Sequence, residues 1–118
     1  MAQQFSPGDY LVFQLESGFG LMRVLAVEQR GDETAWHLLV YEQFFPDIES
    51  AEAALAQSGG LHPRIAHMAL TSRGFERSPT ALLGNRTLTE DELQPYRAWI
   101  ESAGEVFDRS VFQMIGIR

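Results

Sequence analysis

Residues 7–43, PGDYLVFQLESGFGLMRVLAVEQRGDETAWHLLVYEQ, decide the fold. Three apolar-rich runs, 10–16, 19–30 and 34–43, are interrupted only by Ser17-Gly18 and by Gly31-Asp32-Glu33. Val, Leu, Phe, Trp and Tyr bounded by Gly and Asp suit a pleated, half-buried surface, and turns this short force consecutive strands to pair antiparallel. A three-stranded meander over 8–43 is therefore expected.

Alternation assigns the faces. In the first run Leu11, Phe13 and Leu15 read as inward, with Tyr10, Val12, Gln14 and Glu16 outward. The second run carries Met22, Val24 and Ala26 on one face and Leu21, Leu25 and Val27 beside Arg23 on the other. Apolar residues on both faces mark a central strand covered on two sides. The third run sets Trp36, Leu38 and Val40 against His37, Leu39 and Tyr41, and Pro46, which cannot donate to a ladder, ends it.

Working outward, Ser50 reads as an N-cap for a short helix over 50–57, stopped by Gly59-Gly60. A fourth strand is expected over 64–71, a loop framed by Gly74 and Pro79, and a short fifth strand over 80–83. Thr89-Glu90-Asp91-Glu92 has capping-box spacing, with acids at the positive end of the helix dipole, and predicts a helix over 89–103 that Pro95 kinks or delays and Gly104 stops. Residues 111–117 alternate like a closing strand. The fold class expected is α+β: a strongly bent antiparallel sheet or SH3-like small barrel with one short and one longer helix, in a single domain over 1–118.

Composition narrows the function. With 45% apolar and 21% charged residues in 118, the chain has the makings of one ordinary core. Cysteine is absent, which excludes disulfides, thiolate nucleophiles and sulfur-ligated metals. Met1-Ala2-Gln3-Gln4 lacks the basic start of a signal peptide, and no apolar run reaches the roughly 20 residues of a membrane span, so the cytoplasm is the expected location.

The net charge of −7 disfavours nucleic acid and favours cationic partners. Residues 40–60 carry Glu42, Asp47, Glu49 and Glu52 and no base, whereas 61–86 carry Arg64, Arg73, Arg77 and Arg86 against Glu76 alone.

Catalytic and metal constellations are not expected. His37, His62 and His67 fit neither a helical zinc pair nor a finger, and there is no Gly-x-Ser-x-Gly elbow. The carboxylates fall at helix starts, where the dipole alone favours them. No cofactor and no enzymatic activity are expected.

What remains is a surface. Aromatic residues concentrate on the meander and its exit beside acids, as in the core and rim of an interface. The candidate partner-binding residues are Asp9, Phe19, Trp36, Tyr41, Glu42, Phe44, Phe45, Asp47 and Glu49. The alternative is a small-molecule or anion site using Arg64, Arg73 or Arg77 with Trp36 or Tyr41.

Phe5-x-Pro7-Gly8-Asp9-Tyr10-Leu11-Val12, followed by Gly18-Phe19-Gly20 and Arg23-Val24-Leu25, resembles the opening of SH3-like small barrels. Among these it looks most like the bacterial immunity proteins of family twenty-six, and a CarD-type RNA-polymerase-binding barrel shows a similar Gly-Asp and Gly-x-Gly rhythm. The first resemblance implies a protein that binds and neutralises a toxin domain. An acidic inhibitor of a cationic toxin would gain association rate from complementary charge.

Overall fold

The computed structural model describes residues 5–57 and 60–116. The chain runs β1 (Asp9–Leu15), β2 (Gly18–Arg30), β3 (Glu33–Phe45), α1 (Ile48–Ala56), β4 (Pro63–Thr71), α2 (Ser72–Glu76), β5 (Thr80–Asn85), α3 (Glu90–Ser102) and α4 (Val111–Ile115). The strands form one antiparallel sheet in the order β4-β3-β2-β1-β5. This is an α+β fold with the expected meander at its centre. The barrel alternative fails, because β4 and β5 stand at opposite edges and the sheet is left open.

Helices cover both faces. On one side Leu11, Phe13, Met22, Val24, Leu38 and Val40 pack with Trp36 beneath Phe75 of α2 and Val111 and Ile115 of α4. On the other, Tyr10, Leu21, Leu25, Leu39 and Tyr41 lie beneath Leu55 of α1 and half-buried Leu93 and Tyr96 of α3. The two-sided reading of β2 is borne out. The outward reading of Tyr10 and Val12 is not: both are buried, because β1 is also an interior strand, flanked by β2 and β5.

Gly8 explains why the chain enters β1 through Pro-Gly-Asp. Its φ of +92° lies in the left-handed region, and a Cβ there would stand 2.5 Å from the Arg86 carbonyl oxygen. Its N–H donates to the Val24 carbonyl at 2.8 Å and its carbonyl accepts from the Arg86 N–H at 3.1 Å, so this one peptide stitches β1 between β2 and the end of β5. Only glycine meets both demands.

The helices bring four corrections. The α1 cap is Asp47, whose Oδ1 accepts from the Ser50 N–H at 2.7 Å; Ser50 itself lies in the first turn. The expected loop at Gly74 contains α2, capped by Thr71, and Gly74 is buried there because a Cβ would meet the Arg109 carbonyl oxygen at 2.4 Å. Glycine here serves close packing rather than a turn. The capping box of α3 forms as expected, and the helix begins at Glu90 and continues through Pro95. At its far end the left-handed residue is Ala103, φ 52°, in place of the expected Gly104.

The closing strand over 111–117 is a helix in fact, and Ile117 lies outside the described residues. Ser110 Oγ accepts from the Gln113 N–H at 3.2 Å, and Gln113 Oε1 accepts from the Ser110 N–H at 3.0 Å. That reciprocal cap nucleates the turn. Val111 and Ile115, four apart, then drop onto the sheet together. A run this short fits either period, and its cap decides it.

Candidate functional site

The nine residues expected to form one surface are divided by the fold. Trp36 is buried on the α2/α4 side, stacked on Phe75 at 4.6 Å, with its indole N–H donating to Ser72 Oγ at 3.0 Å. Tyr41 is buried on the opposite side, stacked on Tyr10. Asp9 is buried too: Oδ2 accepts from the Ser6 N–H and Oδ1 from the Asn85 amide, both at 2.8 Å. These three are structural, because helices cover the faces on which two of them lie and the Asp9 carboxylate fastens β1 to β5.

The other six are close along the chain or, for Phe19, across the ladder, but lie on both faces of the sheet: Phe44 shares the α2/α4 side with Gly20 and Phe13, whereas Phe45 packs on the α1/α3 side. Phe19 pairs with Phe45 and Gly20 with Phe44 where β2 begins and β3 ends, and α1 starts two residues beyond Pro46. Phe19 and Phe45 are half-buried, whereas Phe44 is 48% exposed and Ile48 of α1 39% exposed. Along the same stretch Glu42, Asp47, Glu49 and Glu52 are exposed, and none makes an ion pair among the described residues. The Ser50 side-chain and backbone bonds hold the Asp47 carboxyl below its ordinary range, which keeps it charged in mild acid. Unneutralised acids thus lie next to bare aromatic and aliphatic surface along 42–52.

The arginines of the alternative site are already engaged. Arg64 Nη2 donates to the Ile115 carbonyl at 2.8 Å, at the end of α4. Arg73 grips Asp108 at 2.8 Å, and Arg77 stands 4.0 Å from the same carboxylate. Hydrogen bonds from Arg73 and Thr71 hold Asp108 below the usual range. With Trp36 and Tyr41 buried on opposite faces, no anion site of the expected composition is assembled.

Two polar groupings were not foreseen. Arg23, 1% exposed, lies across the Tyr10 ring at 4.3 Å and donates to Glu92 and to the carbonyls of Gly8, Arg86 and Thr87. Burial pushes the Glu92 carboxyl up, but the Thr89 N–H and the Arg23 charge prevail and hold it below its ordinary value. The position of Arg23 on the apolar face of β2 was visible in the sequence; its partner, 69 residues away, was not.

The second grouping is a chain of ring nitrogens. His37 is fully buried: Nε2 lies 3.0 Å from Glu28 Oε1, and Nδ1 lies 2.9 Å from His67 Nε2. When His37 donates from Nε2 to the Glu28 carboxylate, its Nδ1 is left to accept from His67. Tyr96 and Trp99 of α3 pack on the His37 ring at 4.6 and 4.7 Å, and Arg30 lies over Trp99 at 5.6 Å. Both nitrogens of His37 are thus used within the fold. The arrangement braces α3 against β3 and β4.

Burial lowers the pKa of both histidines, that of His67 to about 4 with help from the neighbouring His37. The unfolded chain takes up the His67 proton near 6.5, the folded chain only near 4, so this contribution is complete above pH 6.5 and is lost on acidification. Allowing for solvent at the partly exposed ring, stability falls by about 1–2 kcal/mol between pH 6.5 and 4. Denaturation midpoints measured across that range should decline less in His67→Gln than in the parent. Equal declines would assign the acid sensitivity elsewhere.

No helix among the described residues is long and apolar enough to cross a membrane. Compared with protein-family models, curated proteins and solved structures, the chain matches none.

Proposed function

We propose that this chain is a non-enzymatic, cytoplasmic protein-binding domain that captures a cationic partner on the corner built by Phe19, Glu42, Phe44, Phe45, Asp47, Ile48, Glu49 and Glu52. The observation that carries the reading is the exposure of Phe44 and Ile48 in a stretch, 42–52, that also carries four exposed acids without ion-pair partners among the described residues. Removing bare apolar surface from water supplies affinity, and the acids supply approach rate and choice of partner. A phosphate backbone would be repelled by the same acids. The resemblance of residues 5–25 to the immunity proteins of family twenty-six supports a specific form of this role, inhibition of a cationic bacterial toxin domain.

Binding to such a domain, measured by calorimetry, should weaken about tenfold or more in Phe44→Ala, because centrally placed aromatic residues dominate interface energies. The triple variant Glu42→Gln, Glu49→Gln, Glu52→Gln should slow association and flatten its dependence on salt. All four positions are exposed and outside the two cores, so melting temperatures should stay close to the parent's. Association indifferent to both the acids and the ionic strength would sink the electrostatic part of the proposal. Undiminished affinity in Phe44→Ala would sink the location.

A further inference from the structure

A pocket of about 560 Å³ opens on the α1/α3 side of the sheet, and none of the docking corner's residues lines it. Its volume lies within the range of small-molecule sites, about 300–1,000 Å³. Its floor is apolar: Tyr10, Leu39 and Tyr41 from the sheet and Leu55 from α1. Four charged side chains line it, and they are not equivalent. Arg23 and Glu92 neutralise each other, and both Glu92 oxygens are occupied, Oε2 by Arg23 and Oε1 by the Thr89 N–H. Arg86 and Asp91 are exposed and form no ion pair among the described residues. Arg86 donates from Nη2 to the Leu55 carbonyl, which fixes the guanidinium over the end of α1 and leaves its other donors to spare.

One pocket therefore offers an uncommitted cation, an uncommitted anion that is more than ion-pair distance from it, and an apolar floor. We infer that it binds a free α-amino acid with an aromatic or large aliphatic side chain, the carboxylate held by Arg86, the ammonium by Asp91, and the side chain laid over Tyr10, Tyr41 and Leu39. A simple anion would leave Asp91 facing it with like charge, and a simple cation would face Arg86. A ligand carrying both charges satisfies both groups, and charge-assisted bonds at its two ends fix its orientation.

The test uses the whole chain and three compounds that share one apolar body: L-phenylalanine, phenethylamine and 3-phenylpropionate. A ligand that prefers the native state raises the melting temperature by mass action, so about 10 mM L-phenylalanine bound with a Kd of about 1 mM should raise Tm by roughly 5 °C. Phenethylamine and 3-phenylpropionate, each meeting one like charge and missing one partner, should raise it by less than half as much. Asp91→Asn, a change at an exposed residue, should weaken L-phenylalanine about tenfold and bring it level with 3-phenylpropionate. Absence of any shift with L-phenylalanine, or a shift that Asp91→Asn leaves intact, overturns the inference. Neither result bears on Phe44 or the acidic corner, so this site and the docking surface stand or fall separately.

Discussion

Replacing Arg23 with methionine is expected to reduce the free energy of unfolding by about 3 kcal/mol, even though methionine retains the apolar stem of the side chain it replaces. Two effects compete. Exchanging a buried ion pair for apolar groups is often neutral, since two desolvated charges are removed together; removing one partner alone strands the other. Here Glu92 remains, but 26% of its side chain reaches solvent and it keeps the Thr89 N–H, so its charge is partly rehydrated. The carbonyls of Gly8, Arg86 and Thr87 also lose a donor, since all three accept from Arg23. Gly8 keeps the Arg86 N–H at 3.1 Å, and Arg86 and Thr87 are exposed, so water or a second donor replaces part of the bond in each case. Only a fraction of the about 1–3 kcal/mol of a fully stranded buried acceptor therefore applies. The combined estimate thus stays near the lower edge of the range for broken buried pairs, and Tm should fall by roughly 10 °C.

Glu92→Gln supplies the comparison. It keeps an acceptor facing Thr89 but turns an amide NH2 toward Arg23 and leaves that buried charge without its counter-ion, so its cost should be similar, about 3 kcal/mol. Urea denaturation of both variants at neutral pH gives the two values directly. If Arg23→Met unfolds within experimental error of the parent, the guanidinium is not what binds the first turn of α3 to β2, and the wall of the pocket beneath it must be held by packing alone.

The same residues show how far the sequence could be read. Short-range features were legible. The turns Ser17-Gly18 and Gly31-Asp32 placed the meander, and Thr89 with Glu92, three apart, placed the start of α3. Alternation also separated Trp36, Leu38 and Val40 from His37, Leu39 and Tyr41, and the structure keeps them on opposite faces. That separation already argued against grouping Trp36 with Tyr41 in one surface. The grouping rested on one face of the meander being open, and the missing information was the second helical layer. α4 was hidden by a five-residue run compatible with either period, and α2 by a glycine whose role is to admit the chain at Arg109.

The candidate site divides along the same line. Glu42, Phe44, Phe45, Asp47 and Glu49 lie within eight consecutive residues, so their neighbourhood is set by local geometry and was visible in advance. Arg23 with Glu92, Glu28 with His37 and His67, and Arg86 with Asp91 depend on α3 crossing the sheet. α3 has no fully buried residue and a largely polar surface, so its periodicity alone could not say where it docks.

Trp36→Ala is expected to cost about 3–5 kcal/mol and to leave partner binding unchanged wherever the variant is folded. The ring is 3% exposed, stacked on Phe75 and hydrogen-bonded to Ser72, so its removal empties the space between β3 and α2 and leaves the Ser72 hydroxyl without its donor. Collapse around the void is limited, because Phe75 is held in a helix capped by Thr71 and pressed against Arg109 through Gly74. Trp36→Phe should recover more than half of the loss, since it refills most of the volume and forgoes only the N–H. Chemical denaturation measures the first effect, and titration of folded variant with a cationic partner, at a temperature well below its midpoint, measures the second. The pairing of outcomes matters. A stable Trp36→Ala that binds more weakly would bring the indole back to the surface and join it to Phe44, whereas a destabilised variant with parental affinity places recognition on the Phe44 corner alone and leaves Trp36 to the core.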